Sequence, residues 1–240
     1  MGTVLQVDNL QKSYGAFQAV KGVSFQVGEG EVFALIGPNG AGKTTTLRVI
    51  ATLLTLSGGS VTMDGYDLKK HPDKFRERIS YLPEEAGAYK NLKGIDYLRF
   101  MARFYADSES QYEETLRRAA GIADLGDRLQ VKVGTYSKGM VRKLLLARAL
   151  MTKPRLAILD EPTSGLDVIH SLEVRETIKR YAHEGISVLL SSHNMLEIEF
   201  LSDRVALIDK GVILDSGTPA SLKERYQAGN LEVVFRSALR

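Results

Sequence analysis

Short apolar runs and helical patterns alternate along this chain. The apolar runs have the length of β-strands and cover residues 32–36, 79–82, 156–159, 187–191 and 205–209. Between them, apolar residues recur at helical spacing over residues 43–54 and 168–184. Because parallel strands need a crossover connection, usually a helix, this order predicts an α/β protein with a mostly parallel sheet.

Two regions depart from that alternation. Residues 4–27 hold short alternating runs separated by Gly15, Gly22 and Gly28, which is typical of a small antiparallel sheet. Beyond residue 84 the spacing of apolar residues is helical, and helices are predicted near 95–105, over 112–123 and over 137–151. The sequence therefore predicts an all-helical insertion in the α/β chain.

These patterns divide the chain into successive segments. Residues 1–83 are predicted to form the first part of a core together with an antiparallel β lobe. Residues 84–150 are predicted to form the helical lobe, and residues 151–220 the second part of the core. Residues 221–240 form a tail that is predicted as a helix followed by a short apolar strand, with no chemistry assigned to it.

Composition narrows the class of protein. Of 240 residues, 44% are apolar and 25% charged, which is ordinary for one large globular domain or a core with a smaller lobe. The 32 basic and 29 acidic residues are mixed along the chain, so we expect no nucleic-acid partner. The chain has no cysteine, which excludes a disulfide framework, a thiolate nucleophile and a cysteine zinc site.

The sequence also indicates how the chain relates to a membrane. Its first residues lack the basic and apolar regions of a secretory signal. No stretch approaches the roughly 18 consecutive apolar residues that suggest a spanning helix. We therefore expect a soluble chain; if it serves a membrane, it does so through a partner.

Residues 37–44 match the phosphate-loop pattern G-x-x-x-x-G-K-[ST], between an apolar run and a predicted helix. Small residues allow backbone amides to surround a β-phosphate, and the start of the helix points free amides at the same anion. Lys43 is expected to bridge the β- and γ-phosphates, and the Thr44 hydroxyl to bind Mg²⁺. The residues assigned to nucleotide binding here are Gly37, Pro38, Asn39, Gly40, Ala41, Gly42, Lys43, Thr44 and Thr45.

Two acids, Asp160 and Glu161, follow the apolar run 156–159. Ligands of open α/β sheets bind at the carboxyl ends of strands, so these carboxylates are expected beside the phosphates. Adjacent residues on an extended segment point in different directions, which permits two roles. Asp160 is predicted to hold Mg²⁺ through water, and Glu161 to orient and deprotonate the attacking water.

The order of these motifs resembles the nucleotide-binding subunit of ABC transporters. The resemblance covers nearly the whole chain and includes residues 37–44, 135–140, 156–161, 164–167 and His193. It implies a RecA-like P-loop NTPase core with an antiparallel β lobe and an inserted helical lobe, using ATP and Mg²⁺. The sequence at residues 80–85 and 136–140 is most similar to that of the ATPases of ABC-2 type exporters, whose membrane domains are separate chains.

The resemblance assigns Ser137 and Gly139 to the signature sequence, which contacts the γ-phosphate held by the other subunit of a head-to-tail dimer. Ser137 suits the N-cap of the following helix, whose first amides and positive dipole end favour an anion. This copy departs from the family's pattern, since Lys138 replaces a glycine and Met140 a glutamine.

Further roles also follow from the resemblance. Glu84 stands where the family usually has a glutamine that contacts Mg²⁺ and senses the membrane partner. His193 becomes the switch histidine at the γ-phosphate, Asp167 lies at the dimer seam, and Tyr14 stacks on adenine. A pair of solvated acids at Glu84 and a core or surface tyrosine at Tyr14 are the alternatives.

The implied partners are an integral membrane subunit and a second ATP-binding subunit, in a homodimer at the cytoplasmic face of the cell membrane. GTP is disfavoured because the chain has no [NT]-K-x-D motif. One alternative is a soluble ABC-type ATPase of translation or DNA repair, although the chain has one cassette and no sustained heptads. The other is a degenerate module that binds ATP without turnover.

Overall fold

A computed structural model describes residues 2–239. Met1, which begins the first predicted segment, and Arg240, which ends the last one, lie outside the described residues. In chain order the elements are β1 (Thr3–Tyr14), β2 (Phe17–Gly28), β3 (Val32–Ile36), α1 (Lys43–Ile50), β4 (Gly58–Met63), β5 (Tyr66–Asp67), α2 (Pro72–Arg76), β6 (Ile79–Leu82), α3 (Gly94–Arg103), α4 (Glu109–Ala123), α5 (Lys138–Leu150), β7 (Leu156–Asp160), α6 (Val168–His183), β8 (Ser187–Ser192), α7 (Met195–Leu201), β9 (Arg204–Asp209), β10 (Val212–Gly217), α8 (Pro219–Arg225) and α9 (Leu231–Ala238). Short 3₁₀ helices at Gly126–Gln130 and Val133–Thr135 precede α5.

The central sheet has six strands in the order β10-β9-β3-β8-β7-β6. Strands β9, β3, β8, β7 and β6 are parallel, and only the edge strand β10 runs antiparallel to its neighbour. Every residue of β3, β7 and β8 is buried, as expected for strands covered on both faces. The predicted mostly parallel α/β core is therefore confirmed.

The predicted antiparallel lobe is also confirmed, and it is larger than residues 4–27. A second sheet has the order β2-β1-β4-β5, so residues 58–67 add two strands that the sequence pattern did not reveal. Strands β1 and β2 form a hairpin whose turn includes Gly15 in the left-handed region, at φ 58°. Phe25 of β2 stacks on Phe33 of β3 with ring centres 5.1 Å apart, which packs this sheet against the central one.

Helices α3, α4 and α5 follow β6 and precede β7, as predicted for the helical insertion. Helix α4 starts earlier than expected because the Ser108 side chain accepts a hydrogen bond from the Gln111 amide and caps it. Helix α1 ends earlier than residue 54 because Thr52 has a positive φ of 62°. The bounds of the individual segments stay a prediction.

The prediction of an apolar strand in the tail is wrong, because residues 231–238 form helix α9. The Asn230 side chain caps this helix by accepting from the Val233 amide at 3.0 Å. Leu231, Val234 and Phe235 are buried at i, i+3 and i+4, so one helical face packs against α7 and α8. The Leu231 amide also donates to Glu199 Oε2 on α7 at 3.2 Å.

Among residues 2–239, no helix combines the length and the apolar character that crossing a lipid bilayer requires.

Candidate active site

Segments far apart in sequence meet at the carboxyl edge of the central sheet. Strand β3 leads into the loop 37–42 and helix α1, β7 into Asp160 and Glu161, and β8 into His193. Because β3, β8 and β7 are parallel neighbours, their carboxyl ends lie side by side.

The loop 37–42 brings its backbone close to its surroundings. A Cβ at Gly37 would lie 2.0 Å from the Ile208 carbonyl oxygen, so only glycine fits there. Gly42 has a φ of 103°, and helix α1 begins directly after it, with its first amides unpaired within the helix. The loop and helix start therefore present backbone donors at one point, which suits a phosphate.

Lys43 and Glu161 are brought together at this edge. Lys43 Nζ donates to the carbonyls of Gly37 at 2.7 Å and Pro38 at 3.1 Å, and lies 3.5 Å from Glu161 Oε1. Both side chains are only 5% exposed, so the ion pair is screened little by solvent. Glu161 Oε2 lies 2.8 Å from His193 Nδ1 and accepts from the His193 amide at 3.3 Å.

The backbone at Glu161 is strained. Its φ of 48° is unusual for a residue with a Cβ, and such strain clusters at functional sites. The Glu161 amide donates to the Ser191 carbonyl at 3.2 Å and the Ser191 hydroxyl at 3.1 Å, which holds the conformation. This bend lets Glu161 contact Lys43 and His193 while the preceding residue, Asp160, contacts other groups.

Asp160 is fully buried and accepts three hydrogen bonds. Thr44 Oγ1 donates to its Oδ1 at 3.0 Å, Ser191 Oγ donates to the same oxygen at 2.6 Å, and the Tyr81 hydroxyl donates to Oδ2 at 3.3 Å. Burial raises the pKa of Tyr81, so its phenol keeps the proton it donates. Sequence reasoning missed Ser191 and Tyr81; a polar residue near the end of an apolar strand was the available signal.

The residues present fit a magnesium ion. The Thr44 hydroxyl and the Asp160 carboxylate supply adjacent hard oxygen donors, and Mg²⁺ commonly takes one or two carboxylates plus phosphate oxygens and water. Residues 2–239 contain no cluster of three or more His, Cys, Asp or Glu able to hold a metal without such phosphates. Exposed Glu84 lines the same cavity as Glu161, with its Oε1 accepting from Ser164 Oγ at 3.3 Å.

Lys43, Thr44, Glu84 and Glu161 line a cavity of about 260 Å³, whereas Asp160 and His193 are not among its lining residues. Its lining residues are Tyr14, Phe17, Ala19, Asn39, Gly40, Ala41, Gly42, Lys43, Thr44, Thr45, Glu84 and Glu161. Two exposed aromatic rings, Tyr14 and Phe17, flank the β1–β2 turn at one side, which gives the cavity a flat apolar wall. Sequence reasoning proposed Tyr14 and missed Phe17, although both belong to the same hairpin.

Ser137 and Gly139 are not among the residues that line this cavity. Ser137 caps α5, with its hydroxyl accepting from the Met140 amide at 3.2 Å, and a Cβ at Gly139 would lie 2.3 Å from the His170 ring. Asp167 caps α6 by accepting from the His170 amide, and hydrogen bonds from His170 lower the pKa of Asp167. The start of α5 is therefore a separate surface from the cavity.

Comparisons with known proteins agree with this geometry. The family model described as "ABC transporter" matches residues 20–164. The linearmycin resistance ATP-binding protein LnrL of Bacillus subtilis is 37% identical over 92% of this chain and 71% of its own length. The daunorubicin/doxorubicin resistance ATP-binding protein DrrA of Streptomyces peucetius is 37% identical over 98% of this chain and 71% of its own. A solved ATP-binding subunit of an ABC transporter has a TM-score of 0.86 and 30% identity, covering 99% of this chain and 100% of that one.

Proposed function

Because this chain belongs to the ABC transporter family, as an ATP-binding subunit with ATPase activity, we propose that it drives export through a separate integral membrane chain. ATP closes it head to tail on a second ATP-binding subunit, and hydrolysis at Glu161 lets the two part. The observation that carries this proposal is the approach of Lys43 Nζ to Glu161 Oε1, at 3.5 Å, beside the phosphate loop.

The hydrolytic step depends on exchanging the partners of Lys43. In this structure Lys43 donates to two loop carbonyls and contacts Glu161. The β- and γ-phosphates of ATP offer charged oxygens, which make stronger hydrogen bonds than neutral carbonyls, so Lys43 turns to them. Glu161 is then free of its cation and takes a proton from the attacking water. The water oxygen bonds to the γ-phosphorus as the bond to the β–γ bridging oxygen breaks, which releases ADP and inorganic phosphate.

His193 and Asp160 support that step from the two neighbouring strands. His193 Nδ1, 2.8 Å from Glu161 Oε2, holds the carboxylate in place and lies where a γ-phosphate reaches the strand end. Asp160 and Thr44 would hold Mg²⁺, which would supply positive charge beside the phosphates, and Glu84 lines the same cavity as Thr44. Tyr14 offers its exposed ring to the adenine base.

The second subunit supplies phosphate-binding residues that do not line the cavity of the first subunit. Ser137 and Gly139 lie at the start of α5, where free amides and the positive end of the helix dipole favour a phosphate. In a head-to-tail dimer this helix start meets the γ-phosphate of the partner copy, and Asp167 lies at the seam. Each ATP is then buried between two chains, so nucleotide binding favours the closed dimer.

An association experiment tests the closure step. The Glu161→Gln protein is expected to become a dimer on addition of ATP and Mg²⁺, measured by sedimentation, because its ATP persists. A second change, Ser137→Glu, places a carboxylate against the phosphates, and we expect it to keep the protein monomeric while ATP binding to each chain is retained. Persistence of monomers in the Glu161→Gln protein at saturating ATP would refute head-to-tail closure.

The membrane partner is proposed from an exposed aromatic cluster in the helical region. This cluster consists of Tyr89, Tyr97, Phe100 and Phe104, joined edge to face with ring centres 6.0, 5.8 and 5.0 Å apart. Tyr97 is buried and anchors the row, whereas the other three rings are exposed. A large exposed apolar patch marks an interaction site, and a short helix of the membrane chain fits such a surface. The relatives named for resistance to linearmycin and daunorubicin support export, with this chain bound peripherally at the cytoplasmic face.

Recovery from membranes tests this docking. A tagged chain is expected to bring an integral membrane protein with it after detergent extraction, and Phe104→Glu to abolish that recovery by placing a charge in the apolar contact. Phe200→Glu is the matched control, since Phe104 is 68% exposed and Phe200, on α7 outside the cluster, is 70% exposed. Equal recovery with wild type and Phe104→Glu would remove the cluster from the docking surface.

A further inference from the structure

Arg142 of helix α5 is a buried cation with an unusual set of partners. It is only 6% exposed, and its guanidinium donates from Nη2 to the Glu84 carbonyl at 2.9 Å and from Nη1 to the Pro83 carbonyl at 3.4 Å. Burial lowers the pKa of Arg142, which reflects the cost of keeping the charge there, while the negative charges of Glu84 and Asp160 oppose that shift. A buried cation directed at two consecutive carbonyls fixes a backbone segment.

The segment that Arg142 holds leads to the active site. Glu84 follows β6, and its carboxylate lines the nucleotide cavity and accepts from Ser164 Oγ at 3.3 Å. The Ser164 amide in turn donates to the Glu161 carbonyl at 3.1 Å. A continuous series of hydrogen bonds therefore runs from α5 through Glu84 and Ser164 to the residue placed as general base.

Ser137 lies at the N-terminal end of α5, five residues before Arg142, and caps the first turn. Lys138, in that turn, approaches the same 161–166 segment, because a Cβ at Gly165 would lie 2.0 Å from Lys138 Nζ. Polar residues of α5, of the Glu84 segment and of the Ser164 turn line a shared cavity of about 310 Å³. Among residues 2–239, the hydrogen bonds of Arg142 are the ones that join α5 to the backbone at Pro83 and Glu84.

We propose that Arg142 is a positioning residue that holds the Glu84 segment to helix α5. The Glu84 carboxylate serves one ATP site and Ser137, at the start of α5, serves the other, so the two residues move together. The inference rests on the proposed function, because only in a head-to-tail dimer do these two groups serve different nucleotides. Its consequence is that loss of Arg142 impairs turnover more than nucleotide binding, since the phosphate loop does not depend on it.

The test compares Arg142→Met with Lys143→Met. Methionine is unbranched and flexible, so it fills the buried space of the arginine stem without the charge. Lys143 is the matched control, as a cation 8% exposed on the same helix whose partners are Asp124 and Glu173 rather than Glu84. We expect Arg142→Met to lower kcat about tenfold with the KM for ATP within about twofold of wild type. Lys143→Met is expected to leave kcat within about threefold of wild type.

Two further measurements separate positioning from simple loss of packing. Arg142→Lys keeps a donor for the two carbonyls and is expected to recover most of kcat. Amide hydrogen exchange over residues 84–88 is expected to accelerate in Arg142→Met and not in Lys143→Met, with no nucleotide added. Wild-type kcat in Arg142→Met, an equal loss in Lys143→Met, or unchanged exchange at 84–88 overturns the proposal. Failure of the proposed function is distinct, because wild type would then lack hydrolysis that depends on Glu161.

Discussion

Replacing Glu161 with glutamine is expected to leave a protein that binds ATP and almost stops hydrolysing it. Removing a general base typically lowers the rate about 10²–10⁴-fold. Glutamine keeps the shape of the side chain and an oxygen for the His193 amide, which donates to Glu161 Oε2 at 3.3 Å, so the site stays assembled. Loss of the carboxylate also frees Lys43, now 3.5 Å from Glu161 Oε1, for the phosphates.

The measurement pairs a phosphate-release assay with calorimetric titration of ATP. Glu85→Gln is the control, because it removes an exposed acid that follows Glu84 in the chain and does not line the nucleotide cavity. That variant is expected to hydrolyse ATP at the wild-type rate. Full turnover in Glu161→Gln would show that another group takes the proton, and the assignment of Glu161 as base would fall.

Replacing Lys43 with alanine is expected to weaken ATP binding by about 10–100-fold, because hydrogen bonds to charged phosphates contribute about 1.5–3 kcal/mol. The same change removes the buried cation beside Glu161, which is itself only 5% exposed. A buried carboxylate that loses its partner destabilises the fold, on the order of 3 kcal/mol in comparable cases. Lys43→Ala should therefore also lower the thermal midpoint without nucleotide.

A double-mutant cycle distinguishes these two effects of Lys43. In Lys43→Ala/Glu161→Gln the unpaired charge is gone, so most of the lost thermal stability is expected to return, while ATP binding stays weak. Thermal denaturation and calorimetric titration of the four proteins provide the data. If the stability losses of Lys43→Ala and Glu161→Gln simply add in the double variant, the two side chains are not coupled in the folded state, contrary to the geometry described above.

The core of the fold could be predicted because buried parallel strands carry an unambiguous pattern. Every residue of β3 and β7 is buried, and each strand appears in the sequence as an apolar run, which in β7 ends before Asp160. The prediction of a strand in the tail was wrong because Leu231, Val234 and Phe235 lie close together in a short stretch. In so short a stretch, helical spacing and strand spacing of apolar residues are hard to distinguish. Packing against α7 and the cap at Asn230 stabilise the helix, and neither contact can be inferred from the spacing of apolar residues.

The candidate site was predictable to the extent that its residues stand in motifs. Asp160 ends a strand, Glu161 and His193 directly follow one, and Lys43 follows the loop after β3; the structure brings all four to one edge of the sheet. Their roles in hydrolysis stay predictions. The polar residues that support them were not predicted, because Ser191 and Arg142 do not stand at a spacing that marks a known motif. Their importance lies in contacts 31 and 58 residues away along the chain, with Asp160 and Glu84.

The order of strands in the central sheet also bears on how the protein is made. Strand β8 lies between β3, which leads to the phosphate loop, and β7, which leads to Glu161, yet it is synthesised after both. A nascent chain that has not yet emerged past Ser187 cannot set those strands at their final separation, and domains generally fold as units during translation. A fragment that ends before β8 is therefore expected to leave the phosphate loop and Glu161 apart and to hydrolyse no ATP.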